Sequence, residues 1–183
     1  GELAKLPPAQ VTEFLESRKG LLEGVVLSGG ECTLSPALPE FAVWLRTLGY
    51  RIKIDTNGTN PDMLEKLLAG KLVDFIALDF KAPRGKFAAV TGSDQYDRFE
   101  RSLALLCRAD IAVEIRTTVH ADQLDVEDIN RMMSVLSGHG FSGRYYLQRF
   151  RKGLTLGNLD TPRSAFDPSA LTKPPFTLEL RNF

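Results

Sequence analysis

Three apolar segments of this chain end in small or charged residues, and this repeated pattern constrains the fold more than any other feature. The polar ends lie at residues 28–31 (SGGE), 55–58 (DTNG) and 79–81 (DFK). Apolar runs that finish in polar groups are typical of parallel strands whose carboxyl ends meet at one ligand. The sequence therefore predicts a site for a polar ligand at one edge of a parallel sheet.

Strand-like and helix-like patterns alternate along the first 150 residues. Strand-like runs lie at residues 24–28, 51–55, 73–79, 111–119 and 144–149. The best-marked helix between them has Asn60 as its predicted N-cap, a buried stripe that includes Leu64 and Leu67, and Gly70 at its end. This alternation predicts βα units around a parallel sheet. Since a complete (β/α)₈ barrel typically needs about 250 residues, we expect an incomplete barrel or an open sheet.

Two regions interrupt the alternation. Residues 83–95 carry Pro, Gly, Lys and Arg without a clear period, so we predict a loop that could contact substrate. From Arg151 onward four prolines and little periodicity predict a tail that wraps or frays. We therefore divide the chain into a core, residues 1–155, and a C-terminal tail, residues 156–183.

The composition excludes several classes of function. Lys plus Arg and Asp plus Glu are equal at 23 each among 183 residues, so no basic excess favours binding to nucleic acid or to a membrane surface. No apolar run approaches the roughly 20 residues of a membrane span, and we expect a cytoplasmic protein. The two cysteines, Cys32 and Cys107, lie far apart and form neither a disulfide framework nor a metal-binding motif.

The polar residues at the strand ends have plausible binding roles and simpler alternatives. Gly29 and Gly30 allow the backbone to approach a ligand closely, and Glu31 then offers a carboxylate to an ammonium group. The simpler interpretation is a glycine turn followed by an exposed acid. The DTNG segment, which contains Asp55 and Thr56, is alternatively an Asx turn that satisfies its own backbone.

Asp79 and Lys81 lie on the same side of the third strand, because side chains alternate along a strand. If that side faces the interior, both charges must be paired or bound to a ligand, since an isolated buried charge is very costly. Alternatively, they form an ion pair with each other at a solvated rim. Each simple interpretation is acceptable alone, but together they would leave three neighbouring strand ends without function.

Five motifs taken in order give a more specific indication. They are residues 28–33 (SGGECT), 55–58 (DTNG), 78–83 (LDFKAP), 114–119 (EIRTTV) and 145–150 (YYLQRF). Over residues 10–155 this series resembles the radical S-adenosylmethionine (radical SAM) superfamily, and within it the glycyl-radical-enzyme activating family, closest to the anaerobic ribonucleoside-triphosphate reductase activating protein. Several ordered motifs are far more specific than any single one.

The resemblance implies an α/β fold, a partial (β/α)₆ TIM-like barrel, and SAM as cofactor. In the family a first strand leads to a Cys-x-x-x-Cys-x-x-Cys loop that binds a [4Fe–4S] cluster. This sequence lacks both, so we expect the cluster only in the full-length protein and expect this chain alone to be inactive. The resemblance assigns no catalytic side chain and no metal ligand here. Cys32 occupies a position where many relatives have proline, and we interpret it as a packing residue.

The resemblance also implies which residues bind the cofactor. Gly29, Gly30 and Glu31 would hold the amino group of the SAM methionine moiety. A second set would surround its carboxylate and ribose, namely Asp55, Thr56, Asp79, Lys81 and Arg116. For Arg116 the alternative is an ion pair with Glu114 or another acid inside the barrel. The implied partners are a glycyl radical enzyme of the anaerobic ribonucleotide reductase type and an electron donor such as flavodoxin or ferredoxin.

Three other functions remain open from the sequence. A radical SAM enzyme of small-molecule biosynthesis shares the SGGE strand, although little chain remains beyond the barrel for a separate substrate pocket. A Schiff-base lyase would use Lys81 as its nucleophile, but Asp79 on the same face favours the charged lysine. An interaction module without a cluster would use the barrel only as a scaffold.

Overall fold

Six parallel strands form one open sheet in this computed structural model, which describes residues 6–152 and 159–183. The strands pair in sequence order from β1 to β6. Their bounds are β1 Gly24–Leu27, β2 Arg51–Thr56, β3 Phe75–Asp79, β4 Ala112–Val119, β5 Arg144–Arg149 and β6 Thr177–Arg181. The first five confirm the strands predicted from the sequence, with ends that differ by at most two residues.

Six helices accompany the strands among the described residues. They are α1 Pro8–Ser17, α2 Leu38–Thr47, α3 Pro61–Ala69, α4 Arg84–Thr91, α5 Tyr96–Cys107 and α6 Val126–Gly138. Two short 3-10 turns lie at Cys32–Leu34 and Pro168–Ala170. Parallel strands in sequential order with helical connections are the architecture of a partial α/β barrel, which confirms the predicted fold class.

The two faces of the sheet differ in polarity because side chains alternate along each strand. On β2, Ile52 and Ile54 are fully buried on the face that packs against the helices. Lys53 and Asp55 alternate with them and therefore lie on the opposite, inner face. The apolar core thus lies between sheet and helices, and the inner face carries charged side chains.

The sequence analysis predicted a loop at residues 83–95, and this prediction is wrong. The segment contains the helix α4. Phe87 is the only buried residue of this helix, and it packs against Tyr96 and Phe99 of α5. A helix that buries one side chain has no apolar period to detect, so the pattern Arg84–Thr91 gave no helical signal.

The strand β6 was also missed, because it lies in the segment predicted to be a tail. It pairs in parallel with β5, and Phe176 just before it is buried against Phe141 and Tyr145. The predicted boundary between residues 155 and 156 falls outside the described residues and stays a prediction.

The helix α3 begins where predicted, but Asn60 does not cap it. The Asn60 side chain makes no capping hydrogen bond and instead donates from Nδ2 to the carbonyl of Thr33, 2.6 Å away. At the other end Gly70 keeps a helical backbone, and Lys71 is the residue with positive φ, at 50°. Asn60 therefore connects α3 to the turn that follows β1.

No helix in the described part of the chain is both long and apolar enough to cross a membrane.

Candidate functional site

Two cavities adjoin at the carboxyl ends of the strands, where the sequence predicted a site. The first, of about 440 Å³, lies over β3, β4 and β5. Its lining includes Asp79, Lys81, Arg116, Thr118, His120, Gln123, Gln148 and Phe150. The second, of about 420 Å³, extends toward Gly30 and Asn57 and is bounded by α4. Lys81 and Val90 line both cavities, so the two are adjacent, and together we call them the groove.

The backbone at Gly29 and Gly30 is open on the side where a ligand would approach. Gly29 has φ of +140°, a conformation that residues with a Cβ rarely adopt. A Cβ added at either glycine would meet no heavy atom within 4 Å. Space for a ligand close to the main chain is therefore present at this end of the groove.

Glu31 accepts hydrogen bonds from three other residues of the chain. Its Oε1 accepts from the Thr33 N–H (3.2 Å), the Thr33 hydroxyl (2.6 Å) and the Thr56 hydroxyl (2.7 Å). Its Oε2 accepts from the Asn57 N–H at 2.7 Å. We call Glu31, Thr33, Thr56 and Asn57 the Glu31 staple, because these bonds join the loop after β1 to the end of β2.

Thr56 belongs to this staple rather than to the lining of either cavity. It is buried, with 3% of its surface exposed, and its hydroxyl also accepts a hydrogen bond from the Gly58 N–H at 3.1 Å. Asn57 closes an Asx turn, since its Oδ1 accepts from the N–H and the hydroxyl of Thr59. The cofactor contact expected of Thr56 stays a prediction, and the observed bonds give it a structural role.

Five charged side chains from β2, β3 and β4 form a second group, which we call the charged row: Lys53, Asp55, Asp79, Glu114 and Arg116. Arg116 reaches Asp79 at 2.9 Å, Asp55 at 3.3 Å and Glu114 at 3.9 Å. Lys53 reaches Glu114 at 3.1 Å. The row therefore holds three carboxylates against two cations, and its side chains are between 12% and 37% exposed.

Arg116 is the centre of the charged row. Burial opposes its charged form, but Asp79 and Asp55 outweigh that effect and raise the pKa of the guanidinium. Asp79 uses one oxygen, Oδ1, for both bonds to Arg116. The sequence analysis had left two roles open for Arg116, and the ion pair with barrel acids is the one that the structure contains.

Asp55 has one oxygen that lacks a hydrogen bond. Its Oδ2 accepts from Arg116, whereas Oδ1 is buried and unpaired except for Lys53 Nζ at 3.7 Å. That separation allows Coulomb attraction but exceeds hydrogen-bond distance, so we regard the oxygen as unsatisfied. A buried carboxylate oxygen without a donor is available to a cation or a donor group of a ligand.

Lys81 lies two residues beyond Asp79, but the two do not pair. Lys81 is exposed and has no ion pair with any described residue, because Asp79 is held by Arg116 of the neighbouring strand. The expected same-side placement is correct in that both line the first cavity. The ammonium group is therefore free to meet an anionic ligand.

His120 was not among the predicted site residues. It directly follows β4, is 6% exposed, and packs its ring edge against Phe150, with the centroids 4.7 Å apart. Its Nε2 lies 2.9 Å from the Asp160 carbonyl, which can only accept, so Nε2 carries a proton, and the buried Nδ1 has no hydrogen-bond partner among the described residues. The sequence signal for this part of the cavity was the alternation of Arg116 and Thr118 within the EIRTTV motif, which His120 continues.

Neither cysteine resembles a metal ligand. Burial, reinforced for Cys32 by the nearby Glu31, raises the pKa of Cys32 and of Cys107 to about 11. Cys32 Sγ lies 3.5 Å from the carbonyls of Leu27 and Asp55. Both thiols are therefore protonated at neutral pH, and Cys32 is a packing residue as predicted.

Comparison with known proteins agrees with the fold. The model of the radical SAM superfamily matches residues 2–136. A protein of Methanocaldococcus jannaschii, provisionally named a glycyl-radical enzyme activating enzyme, is 34% identical over 113 residues, which cover 58% of this chain and 47% of that protein. The match thus spans about half the length of the relative.

Solved structures show the same fold at low sequence identity. A domain of pyruvate-formate lyase-activating enzyme from Bacteroides vulgatus has a TM-score of 0.62 and 14% identity, over 75% of this chain and 88% of that one. SuiB of Streptococcus suis bound to S-adenosylmethionine has a TM-score of 0.65 and 15% identity, over 83% of this chain and 35% of that one. Since the family model covers most of the sequence, this chain belongs to the radical SAM superfamily.

Proposed function

We propose that this chain is the SAM-binding core of a glycyl-radical activating enzyme. One observation carries the proposal: of the two adjoining cavities, the second has open glycine backbone, the first has Arg116 and Asp79, and Lys81 lies where they meet. A ligand with an ammonium, a carboxylate and a ribose matches both cavities. The named activity of the Methanocaldococcus jannaschii relative supports the class of enzyme.

The residues of the groove fit SAM in three ways. The carbonyls near Gly29 and Gly30, with Glu31 Oε2, suit the ammonium group, because Oε2 accepts only one internal hydrogen bond. Lys81 and Arg116 suit the carboxylate. Asp79 Oδ2 makes no bond to Arg116 and is available to a ribose hydroxyl.

In this family, bound SAM supplies a 5′-deoxyadenosyl radical when it receives an electron. The side chains described here bind and orient, and none is assigned a proton transfer. The [4Fe–4S] cluster that provides the electron does not fit this chain, because the sequence has only two cysteines and these half-buried residues lie on separate elements. We propose that the ligands of the cluster come from outside these 183 residues and that the chain alone binds SAM weakly.

We propose a glycyl radical enzyme, of the anaerobic ribonucleotide reductase type, as the partner that receives the radical. An electron donor such as flavodoxin or ferredoxin completes the proposed reaction. Both follow from the family to which the motifs are most similar. The name of the relative supports only the broader class, a glycyl radical enzyme.

A titration of the 183-residue chain with SAM tests the proposed site. We expect Lys81→Ala to raise the Kd for SAM about tenfold, a loss of about 1.4 kcal/mol in binding free energy. The reason is that the substitution removes the unpaired cation that would face the carboxylate of SAM. Lys81→Arg should recover only part of the affinity, since a planar guanidinium does not replace a compact ammonium. Lys66→Ala is the control, because Lys66 is an exposed lysine of α3 that lines neither cavity.

Equal Kd values for wild type and Lys81→Ala would remove Lys81 from the site. Absence of any SAM binding by the wild-type chain would contradict the proposed function. Borohydride trapping of a carbonyl compound on Lys81 would instead support the Schiff-base lyase.

A further inference from the structure

The helix α4 forms a wall of the groove but has little apolar attachment to the rest of the protein. Val90 lines both cavities, and Phe87 and Thr91 line the second. Phe87 is the only buried residue of α4, and it holds the side of the helix that faces α5. One aromatic side chain does not fix the orientation of a helix, so a second attachment is needed.

Lys86 provides that second attachment. Its Nζ donates to the Gln123 carbonyl at 3.2 Å, lies 3.5 Å from Asp125 Oδ2, and makes a short hydrogen bond to Asp128 Oδ2. Gln123 itself lines the first cavity, opposite α4. Lys86 therefore connects two walls of the same cavity, α4 and the turn before α6.

The acceptor of this bond is unusually well fixed. The Asp128 side chain is completely buried, and it also accepts from the Asp125 N–H at 3.1 Å and from Arg131 Nη1 at 2.9 Å. The Asp125 carboxylate accepts in return from the Asp128 N–H at 2.8 Å, which completes a capping box at the start of α6. A buried carboxylate with fixed donors is a rigid anchor for the lysine.

A second basic residue of α4 provides a contrast. Arg84 pairs with Asp97 at 2.5 Å and Glu100 at 2.7 Å on α5, but the side chains of Arg84 and Asp97 are more than half exposed. Exposed ion pairs contribute little to stability. Arg84 thus shares the helix and the charge of Lys86 but not its buried partner.

We propose that Lys86 is a positioning residue for the SAM site, an inference that rests on the proposed function. By holding α4 against the turn before α6, it fixes the wall formed by Val90 and Thr91. It also fixes the chain that leads to Lys81, because only Ala82 and Pro83 separate Lys81 from α4.

The test compares Lys86→Met, Lys86→Arg and Arg84→Met in the full 183-residue chain, by SAM titration and by hydrogen exchange of the α4 amides. We expect Lys86→Met to raise the Kd about tenfold and to speed α4 exchange at least tenfold. Arg84→Met should change the Kd less than twofold, and Lys86→Arg should remain within about threefold of wild type, because a guanidinium still reaches Asp128.

A destabilising control separates positioning from general loss of stability. Met133→Ala removes a core side chain of α6 that is 2% exposed, and we expect a lower melting temperature with an unchanged Kd. If Lys86→Met does not fold, Asp128→Asn tests the same bond from the other side and should also speed α4 exchange.

Three outcomes would overturn the inference: a wild-type Kd in Lys86→Met, an equal rise in Kd in Met133→Ala, or unchanged α4 exchange in both Lys86→Met and Asp128→Asn. A wild-type chain that binds no SAM would overturn the proposed function. The exchange data would still decide whether Lys86 holds α4, so the two failures are distinguishable.

Discussion

The Glu31 staple lies at the ends of β1 and β2, whereas the charged row crosses β2, β3 and β4, and the two groups use their polar side chains in opposite ways. In the staple, the Glu31 carboxylate accepts four hydrogen bonds from other residues of the chain and so joins the loop after β1 to the end of β2. In the charged row, three carboxylates share two cations, Asp55 retains an unsatisfied oxygen, and Lys81 nearby has no ion pair with a described residue.

This difference separates architecture from binding within a single set of motifs. An acid whose acceptors are occupied by neutral donors of the chain mainly stabilises the fold. A group of side chains whose charges are incompletely paired is stabilised when a ligand supplies a group of opposite charge. We therefore expect substitutions in the staple to reduce stability more than SAM binding, and substitutions near the charged row to reduce SAM binding more than stability.

The largest expected effect on stability comes from the staple. Glu31→Ala leaves the N–H of Asn57 and the hydroxyl of Thr56 without their acceptor, and we expect a loss of about 2–4 kcal/mol in the free energy of unfolding. Glu31→Gln should lose less, since its amide oxygen still accepts hydrogen bonds on one side. Urea denaturation measures both values.

The control for Glu31 is Glu13→Ala on the exposed face of α1, for which we expect a change within about 0.5 kcal/mol. A Glu31→Ala variant that is as stable as this control would show that the staple is not structural. The comparison of the two regions would then fail.

A smaller loss of stability is expected in the charged row. Arg116→Met leaves Asp55 and Asp79 without their main cation, and breaking a buried ion pair costs about 3–5 kcal/mol. Because the Arg116 side chain is 20% exposed, solvent screening should reduce this to about 2 kcal/mol. In the same variant the affinity for SAM should fall by more than tenfold, which is more than the loss of stability alone would cause.

The discriminating measurement is the ratio of the two effects, from urea denaturation and SAM titration of the same samples. When the two variants are compared at the same fraction of folded protein, Arg116→Met should raise the Kd for SAM more than Glu31→Ala does. The reverse order would show that Glu31 contributes more to SAM binding than Arg116 does, which would contradict the comparison.

A further prediction concerns reactivity rather than stability or binding, and it is made for Cys32, which lies beside the staple. Raising the pKa of this thiol from 9.0 to about 11 leaves roughly a hundredfold less thiolate at pH 8, so alkylation by iodoacetamide should be about a hundredfold slower than in the unfolded chain. Glu31→Ala should speed the reaction, because it removes a nearby negative charge and loosens the loop.

Cys107 is the internal control for this experiment. Burial alone raises its pKa, also to about 11, and Glu31 is not among the causes. Its alkylation should therefore be slow in wild type and unchanged by Glu31→Ala. Equal acceleration at both cysteines would indicate general unfolding rather than a local opening of the staple.

The local patterns predicted most of the secondary structure because they depend on neighbouring residues. Alternation and apolar runs located β1 to β5, and α3 begins where the sequence predicted a helix. Two elements were missed for a common reason. The helix α4 buries only Phe87, and β6 has no fully buried side chain, so neither leaves a periodic signal.

The partners of the charged side chains could not be predicted in the same way. Asp79 and Lys81 were correctly expected on one side of β3, because alternation is a property of a single strand. Their partners depend on the register between strands, which sets Asp79 directly beside Arg116. Similarly, Lys86 and Asp128 are 42 residues apart, and only the packing of α4 on the turn before α6 joins them.

The sequence by itself determined the type of fold, the edge of the sheet that carries the site, and the family, because these depend on residue order and spacing. Only the tertiary structure decided how each polar group is used. Thr56 and Glu31 bond to each other, Arg116 binds Asp79, and Lys81 remains open to the groove. Hydrogen bonds and ion pairs form between groups within a few ångströms, and distances between separate strands are fixed only when the sheet assembles.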